Sequence, residues 1–373
     1  RATDQPQRGN MKVITFGEIM GRIFMPGQLK FRQALPGSAD ITFAGAEANV
    51  AASIVMLGGK AAFVTALPKN EIAEAALGTL RNIGIDTSYV KRTDEGRLGL
   101  YFVEAGANQR PSKVVYDRSF SSVSLVKGES YPWDEIFSGA TWFHVSGITP
   151  ALSKTAAEAT LYSVKKAKEH GLKISCDLNF RKKLWGYDEK LSPKELCRKT
   201  MAEILPFVDI VIGNEEDADD VMGIKAGESD AASGKLEISR YPEVAKKILE
   251  KYPNVEKTAF TLRESFSASH NNWGAMLYDR ETSEAFFAPL KDGLYSPYEI
   301  KNIVDRIGGG DSFSAALIYS LQDDELKNDL QKCIDFATAA SCLCHSIYGD
   351  FNFSTKAEVL ALVSGDASGR VKR

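Results

Sequence analysis

Short β-branched or aromatic runs alternate along the chain with longer segments whose apolar positions recur at helical spacing. Residues 13–17, Val-Ile-Thr-Phe-Gly, predict a strand, and residues 46–57 predict a helix stopped by Gly58 and Gly59. Residues 61–67 read as a strand and 71–83 as a helix ending at Gly84. The alternation continues with strand 142–145, helix 153–169, strand 173–177, a helix near 194–205, strand 209–212, helix 243–251 and strand 258–262. Apolar strands separated by helices of this length build βαβ units. The fold class is therefore α/β, three-layered, with a mostly parallel central sheet, helices on both faces and right-handed crossovers.

Two stretches break the rhythm. Residues 24–43 and 99–118 hold strand-like pieces with no helix between them, and 100–104 with 113–117 predict an antiparallel pair. They predict a small β-sheet attached to the α/β layer. One face of such a sheet has nothing in its own domain to cover it, so it covers a ligand or pairs with another subunit, which favours a homodimer or higher homo-oligomer. Residues 223–239, polar and rich in Gly, Ser and Ala, predict a surface loop. The polar residues 1–10 are set aside as a tail or expression remnant, leaving 11–373 as one domain.

Composition narrows the function classes. The chain has 373 residues, 44% of them hydrophobic, which is ordinary for a globular protein and excludes disordered, collagenous and disulfide-scaffold chains. Lys and Arg total 46 against 49 Asp and Glu, and no basic stripe follows, so a nucleic-acid partner is not expected. No apolar run approaches the ~18 residues of a membrane span, and the N-terminal residues lack a secretion-signal core. Five cysteines (Cys176, Cys197, Cys333, Cys342, Cys344) lack CxxC spacing, which suits a reducing cytoplasm. Cys342-Leu-Cys344-His345 closes an Ala-rich helix and reads as core packing rather than metal ligation.

Three stretches carry chemistry. In Ile303-Val-Asp-Arg-Ile-Gly-Gly-Gly-Asp-Ser-Phe313 a strand-like run ends at Arg306, and Gly308, Gly309 and Gly310 precede a helix opened by Asp311. Glycines let backbone N–H groups approach a ligand, and a helix N-terminus favours an anion. Asp311 is then either an N-cap or the group that takes a proton from a hydroxyl attacking phosphorus, and local chemistry leaves the two even. The run matches neither a dinucleotide fingerprint nor a P-loop. Phe43-Ala-Gly-Ala-Glu-Ala-Asn49 crowds small residues at a helix start that carries Glu47 and Asn49. Asp209-Ile-Val-Ile-Gly-Asn-Glu-Glu-Asp217 ends a strand in an acidic patch, a solvated helix start or a set of oxygen ligands for nucleotide-borne Mg²⁺.

Together these stretches resemble the ribokinase-like (PfkB) carbohydrate kinases over Met11 to Val363. The C-terminal signature appears as Asp305-Arg-Ile-Gly-Gly-Gly-Asp-Ser-Phe313 and the N-terminal Gly-Gly-x-x-x-Asn pattern as Ala44-Gly45-Ala-Glu-Ala-Asn49. The resemblance implies a ribokinase-like fold with a β-sheet lid and an ATP-dependent transfer to a sugar hydroxyl. Asp311 is then the catalytic base, Gly308, Gly309 and Gly310 the anion hole, and Gly45 and Asn49 part of the sugar site. Gly17-Glu-Ile-Met20, Leu100-Tyr-Phe-Val-Glu104, Tyr116-Asp-Arg118, Asp177-Leu-Asn-Phe-Arg-Lys-Lys-Leu-Trp185 and Gly349-Asp350 resemble the 2-keto-3-deoxygluconate kinases within that family. That substrate carries a carboxylate, which arginine forks bind in bidentate fashion. Arg118 and Arg181 are the candidates for it, Tyr101 and Tyr116 for the lid's contacts, and Asp350 for substrate hydroxyls.

Two positions depart from the family pattern. The usual Asn-x-x-Glu appears as Asn214-Glu-Glu-Asp217, one methylene shorter, which suits Mg²⁺ held through water. Arg263 stands where Gly usually ends a strand near the nucleotide; it is assigned to phosphate, with an extended loop after it to Trp273. Asp305 is the candidate for a monovalent cation, K⁺. His270 is read as a surface residue and His144 as a satisfied core residue. The predicted reaction is phosphorylation of the primary hydroxyl of 2-keto-3-deoxygluconate. The rivals are a fructokinase or ribokinase of the same family and a sugar-binding sensor without turnover. A nicotinamide-dependent dehydrogenase is disfavoured because no dinucleotide fingerprint follows the first strand.

Overall fold

The computed structural model describes residues 10–227 and 238–369. The tail (1–9) and the centre of the expected surface loop (228–237) lie outside the described residues. The main sheet runs, edge to edge, Glu284–Ala288, His270–Asp279, Lys257–Ser267, Ile210–Gly213, Lys173–Asp177, Trp142–Ser146, Lys12–Phe16, Lys60–Val64, with Tyr298–Ile300 also paired to His270–Asp279. Every pair from Lys60–Val64 to Lys257–Ser267 is parallel, and the pairings beyond are antiparallel.

Alternation along the strands feeds two cores. In Lys12–Phe16, Ile14 and Phe16 enter the cluster on one face with Phe143, Trp133 and Phe137, while Val13 enters the other with Phe63 and Ile54. Helices Lys154–Glu169, Pro193–Ile204 and Arg240–Lys251 cover the first face. Ala46–Leu57, Glu71–Ile83, Gly309–Ser320 and Leu330–Cys344 cover the second. Small residues let these helices approach closely: Ala48, Ala51 and Ala52 on one, Ala315 and Ala316 on the next, Ala339 and Ala340 on the third, all buried. Ala46–Leu57 and Glu71–Ile83 form as the pattern predicts, each stopped by a glycine in the left-handed region, Gly58 at φ 109° and Gly84 at φ 104°.

The second sheet has four strands in the order Asp40–Ala44, Met20–Phe24, Gly99–Glu104, Lys113–Asp117. It starts earlier than the expected residue 24, and the first insert also contains a short helix, Phe31–Ala34. The expected antiparallel pair is present. Register places Thr42, Arg22, Tyr101 and Tyr116 side by side on one face, and Ile41, Ile23, Phe102 and Val115 on the other. Tyr101 and Tyr116 of the first row line a cleft; Ile41 and Val115 of the second are 64% and 51% exposed.

Three further expectations need correction. The residues after Leu262 are not a loop: Lys257–Ser267 and His270–Asp279 form a long antiparallel hairpin. The stretch 303–306 is not a strand. Asp311 is not an N-cap; the helix Gly309–Ser320 starts two residues earlier, with Gly308 as its N-cap. The thiols of Cys342, Cys344 and their neighbours pack as expected, with burial pushing both pKa values up to about 12. His144 is buried, held by Ser175 at 2.8 Å, and desolvation lowers it to about 3.

Candidate active site

A cleft of about 590 Å³ lies between the lid sheet and the strand ends of the main sheet. Its floor is the start of helix Gly309–Ser320. Gly308 takes φ 91°, and a side chain there would collide with the backbone oxygen of Asp350, so only glycine makes this turn. A Cβ on Gly310 would meet nothing within 4 Å, because that position opens on the cleft. The first backbone hydrogen bond of this helix runs from Ser312 to Gly308 at 2.9 Å. The N–H groups of Gly309, Gly310 and Asp311 thus have no intrahelical acceptor and form, with the helix dipole, a cradle for an anion.

Asp311 stands beside that cradle and lines the cleft. Its Oδ2 accepts from Asn49 Nδ2 at 2.8 Å. The surrounding protein solvates the charge poorly, and this desolvation raises the pKa to about 7; the Asn49 bond and Arg181 act against it, while Asp350 and Glu47 add to it. A solvated aspartate is fully ionised at neutral pH; this site holds one poised near neutrality, where general-base catalysis is most efficient.

Asn49 is a bridge. Its Nδ2 also donates to Asp350 Oδ2 at 3.1 Å, and its Oδ1 accepts from the Gly45 N–H at 3.3 Å. Gly45 is the N-cap of Ala46–Leu57 and touches the Glu18 backbone so closely that a Cβ would collide with it. Asp350, expected at substrate hydroxyls, also accepts from Tyr101 Oη at 2.9 Å and from Arg22 at 2.6 Å. It lines the cleft, but its oxygens are already engaged by the protein.

The two candidate arginines differ. Arg118 is buried and donates through Nε and Nη2 to Glu18 Oε2 at 2.9 and 2.5 Å, with its guanidinium 5.2 Å from the Tyr116 ring. Arg181 is exposed in the cleft and donates to the Phe180 carbonyl at 3.1 Å. Asp305, the candidate for K⁺, is neutralised by Arg22 at 2.5 Å, so a guanidinium already fills that place. Asn214 and Asp217 cap helix Glu215–Met222 reciprocally, at 2.8 and 3.1 Å, and Asp217 Oδ1 also accepts from the Phe180 N–H. Burial raises Asp217 to about 6 and holds Asp177, at the end of its strand, well above the usual range.

These acids bear on a metal. Among the described residues no group of three or more His, Cys, Asp or Glu side chains could hold an ion. Asp217 spends both oxygens on backbone N–H groups, so the acidic wall of Asp177, Asp217, Glu215 and Glu216 fits a hydrated Mg²⁺ carried on phosphates, not a directly ligated one. On the opposite wall Arg263 is exposed, and Arg306 donates to the carbonyls of Ser267 and Ala268 at 3.1 and 2.6 Å; both line the cleft. His270 sits near the surface against Glu299 at 3.3 Å. Sequence reasoning missed Arg22, Glu18, Asp177, Asn179 and Arg306. Glu18, Asp177, Asn179 and Arg306 fell inside quoted stretches without a role of their own, while Arg22 lay ahead of residue 24, where the lid was expected to begin.

The family profile described as pfkB family carbohydrate kinase matches residues 11–253. A crystal structure from Thermotoga maritima, of a 2-dehydro-3-deoxygluconokinase, superposes with TM-score 0.84 at 43% identity over 95% of this chain and 100% of that one. A 2-dehydro-3-deoxygalactonokinase from Haloferax volcanii is 29% identical over 96% of this chain and 98% of its own length. An E. coli structure assigned as ribokinase II, with ATP and Mg²⁺, shares the fold at TM-score 0.73 and 20% identity, covering 95% of this chain and 99% of that one.

Proposed function

This chain belongs to the pfkB family of carbohydrate kinases, and on that premise we propose that it transfers the γ-phosphoryl group of ATP to the primary hydroxyl of 2-keto-3-deoxygluconate. One observation carries the reaction type: a carboxylate with a pKa near 7 stands at the floor of the cleft beside three backbone N–H groups without intrahelical acceptors. Asp311 orients the acceptor hydroxyl through the oxygen that Asn49 leaves free and takes its proton as the O–P bond forms. The N–H groups of Gly309, Gly310 and Asp311 stabilise charge on the moving phosphoryl oxygens. Arg263 and Arg306 hold the nucleotide's phosphates. Mg²⁺ on those phosphates supplies charge neutralisation, with Asp217 and Asn214 facing its water shell. Tyr101 and Tyr116 on the lid cover the sugar and exclude water.

The substrate's class follows from cation placement. Among the described residues Arg181 makes no salt bridge, whereas the Arg118 charge is met by Glu18. A sugar acid gives Arg181 an anion; a neutral sugar does not. The T. maritima relative's name supports the gluconate and the H. volcanii relative's name its galactonate epimer. The exposed row of Ile41 and Val115 supports a second copy covering the outer lid face, which sedimentation tests. The deciding experiment is a coupled ADP-release assay over 2-keto-3-deoxygluconate, 2-keto-3-deoxygalactonate, fructose and ribose. A kcat/KM for both acids no higher than for fructose removes the sugar-acid reading; no ADP release with any of them removes the kinase.

A further inference from the structure

Arg22 takes no part in the chemistry proposed above, yet it is buried between the lid and the turn that carries Asp311. It projects from the lid strand Met20–Phe24, beside Tyr101 in the register. Nη2 donates to Asp305 Oδ2 at 2.5 Å and Nη1 to Asp350 Oδ1 at 2.6 Å. Those two carboxylates hold the turn from both sides. Asp305 Oδ1 accepts from the Ile307 N–H at 3.1 Å and Oδ2 from the Gly349 N–H at 3.2 Å, and the Asp350 backbone packs against Gly308. From Asp350 the chain continues through Asn49 Nδ2, at 3.1 Å, to Asp311, at 2.8 Å. Tyr101 Oη, also from the lid, closes on the same Asp350 oxygen at 2.9 Å.

We propose that Arg22 is a positioning residue for phosphoryl transfer: by holding Asp305 and Asp350 with one fork it fixes the glycine turn, and through Asp350 and Asn49 it couples the seating of the lid to the orientation and charge of Asp311. The proposal rests on Asp311 being the base. A guanidinium suits the task because its planar fork meets two separate carboxylates at once, which an ammonium cannot do in the same geometry. Five groups face Asp311 from the elements around it: Asp350 through Asn49, Glu47 on helix Ala46–Leu57, Asp177 at its strand end, Arg181, and Cys344 on helix Leu330–Cys344. Among them Asp350 is the one bonded to lid residues. Without Arg22 its charge stands uncompensated one amide away from the base, and a like charge at that range disfavours ionisation of Asp311.

The test is the pH dependence of kcat/KM for the best sugar acid, in the full chain. Arg22→Gln is expected to move the acidic limb up by about one pH unit and to lower kcat at least tenfold, while the sugar KM changes less than about threefold. Asp350→Asn, which removes the like charge and leaves Arg22 paired with Asp305, is expected to move the limb down. Opposite shifts support the coupling; damage that is merely structural lowers kcat without them. Limbs that stay in place or move the same way overturn it, as does an Asp350→Asn effect confined to sugar KM, which makes Asp350 a direct substrate contact. Should Arg22→Gln fail to fold, the Asp350→Asn limb and that of Tyr101→Phe, expected to move up, decide in its place. Asp311→Asn separates the premises: full turnover in that variant removes the base itself, whereas an inactive variant beside an unmoved Arg22→Gln limb removes Arg22 alone.

Discussion

A carboxylate held near neutrality carries a cost in stability, and Asp311→Asn exposes it. The folded protein raises this carboxyl from 3.8 to about 7, chiefly by desolvation. A carboxyl raised in the folded state binds its proton more tightly there than in the unfolded chain. Stability from this group is therefore fully present below pH 3.8, falls as pH rises towards 7, and stays low above it. Each pKa unit corresponds to about 1.4 kcal/mol, so ionised Asp311 costs up to about 4 kcal/mol, discounted to about 2–4 because the cleft admits water. Asn replaces the protonated acid almost isosterically and still accepts from Asn49 through Oδ1. Thermal unfolding from pH 4 to pH 8 should show Asp311→Asn level with the wild type at pH 4 and more stable by about 2–8 °C at pH 8, taking ~1–2 °C per kcal/mol for a chain of this length. The same variant should lose about 10²–10⁴ in kcat, and wild-type kcat/KM should fall tenfold per unit below pH 7. A variant no more stable than the wild type at pH 8 would show that the carboxylate is comfortably solvated, and the reasoning from burial to base fails.

Gly310→Ala should leave the melting temperature within about 1 °C, because its methyl meets no protein atom, yet lower kcat/KM at least tenfold by filling the phosphoryl volume; calorimetry beside kinetics checks it. Gly308→Ala should instead lower the melting temperature by several degrees, since it forces a side chain into φ 91° against the Asp350 backbone. Arg181→Ala should raise KM for the sugar acid about tenfold or more with unchanged melting temperature and unchanged KM for neutral sugars. Arg118→Ala should destabilise the fold by about 3–5 kcal/mol, because it strands buried Glu18, and Glu18→Gln in the same chain should recover much of that loss.

Local signals reached the elements they govern. Helices Ala46–Leu57 and Glu71–Ile83 were legible to the residue because a left-handed glycine stops each one. The hairpin beyond Leu262 was not, because Arg263-Glu-Ser-Phe-Ser267 extends past the core and has no reason to be apolar. The lid strands could be seen singly, but the parallel pairing of Met20–Phe24 with Gly99–Glu104 joins segments far apart in sequence and leaves no local trace. The site divides the same way. The glycine turn announces itself by composition, while the role expected of Asp311 came from the resemblance of the whole stretch to a family signature. The Asp311 pKa and the role of Arg22 depend on Asn49 and Asp350, which come from opposite ends of the chain.

The arrangement of charge also explains why a cleft so rich in carboxylates can receive two anions. Glu18 is cancelled by Arg118, and Asp305 and Asp350 share Arg22. Glu47 is buried with its pKa raised, accepting from the hydroxyls of Ser146 and Thr149. Asp177 and Asp217 are raised by desolvation, which weakens their hold on a negative charge near neutrality. Beside the acidic wall that suits a hydrated Mg²⁺, the cations open to incoming anions are Arg181 on the sugar side and Arg263 and Arg306 on the other. A guanidinium already bound to Glu18 adds no net charge to the site, so under the proposed function Arg118 shapes the pocket and Arg181 takes the substrate's carboxylate. Discrimination of a sugar acid from a neutral sugar then rests on a residue in the loop after a strand end, where it can change without disturbing the core. The base, its amide bridge and the lid arginine are locked together by burial. Chemistry and specificity thus occupy separate parts of one cleft, and a family built this way can change its sugar while keeping its reaction.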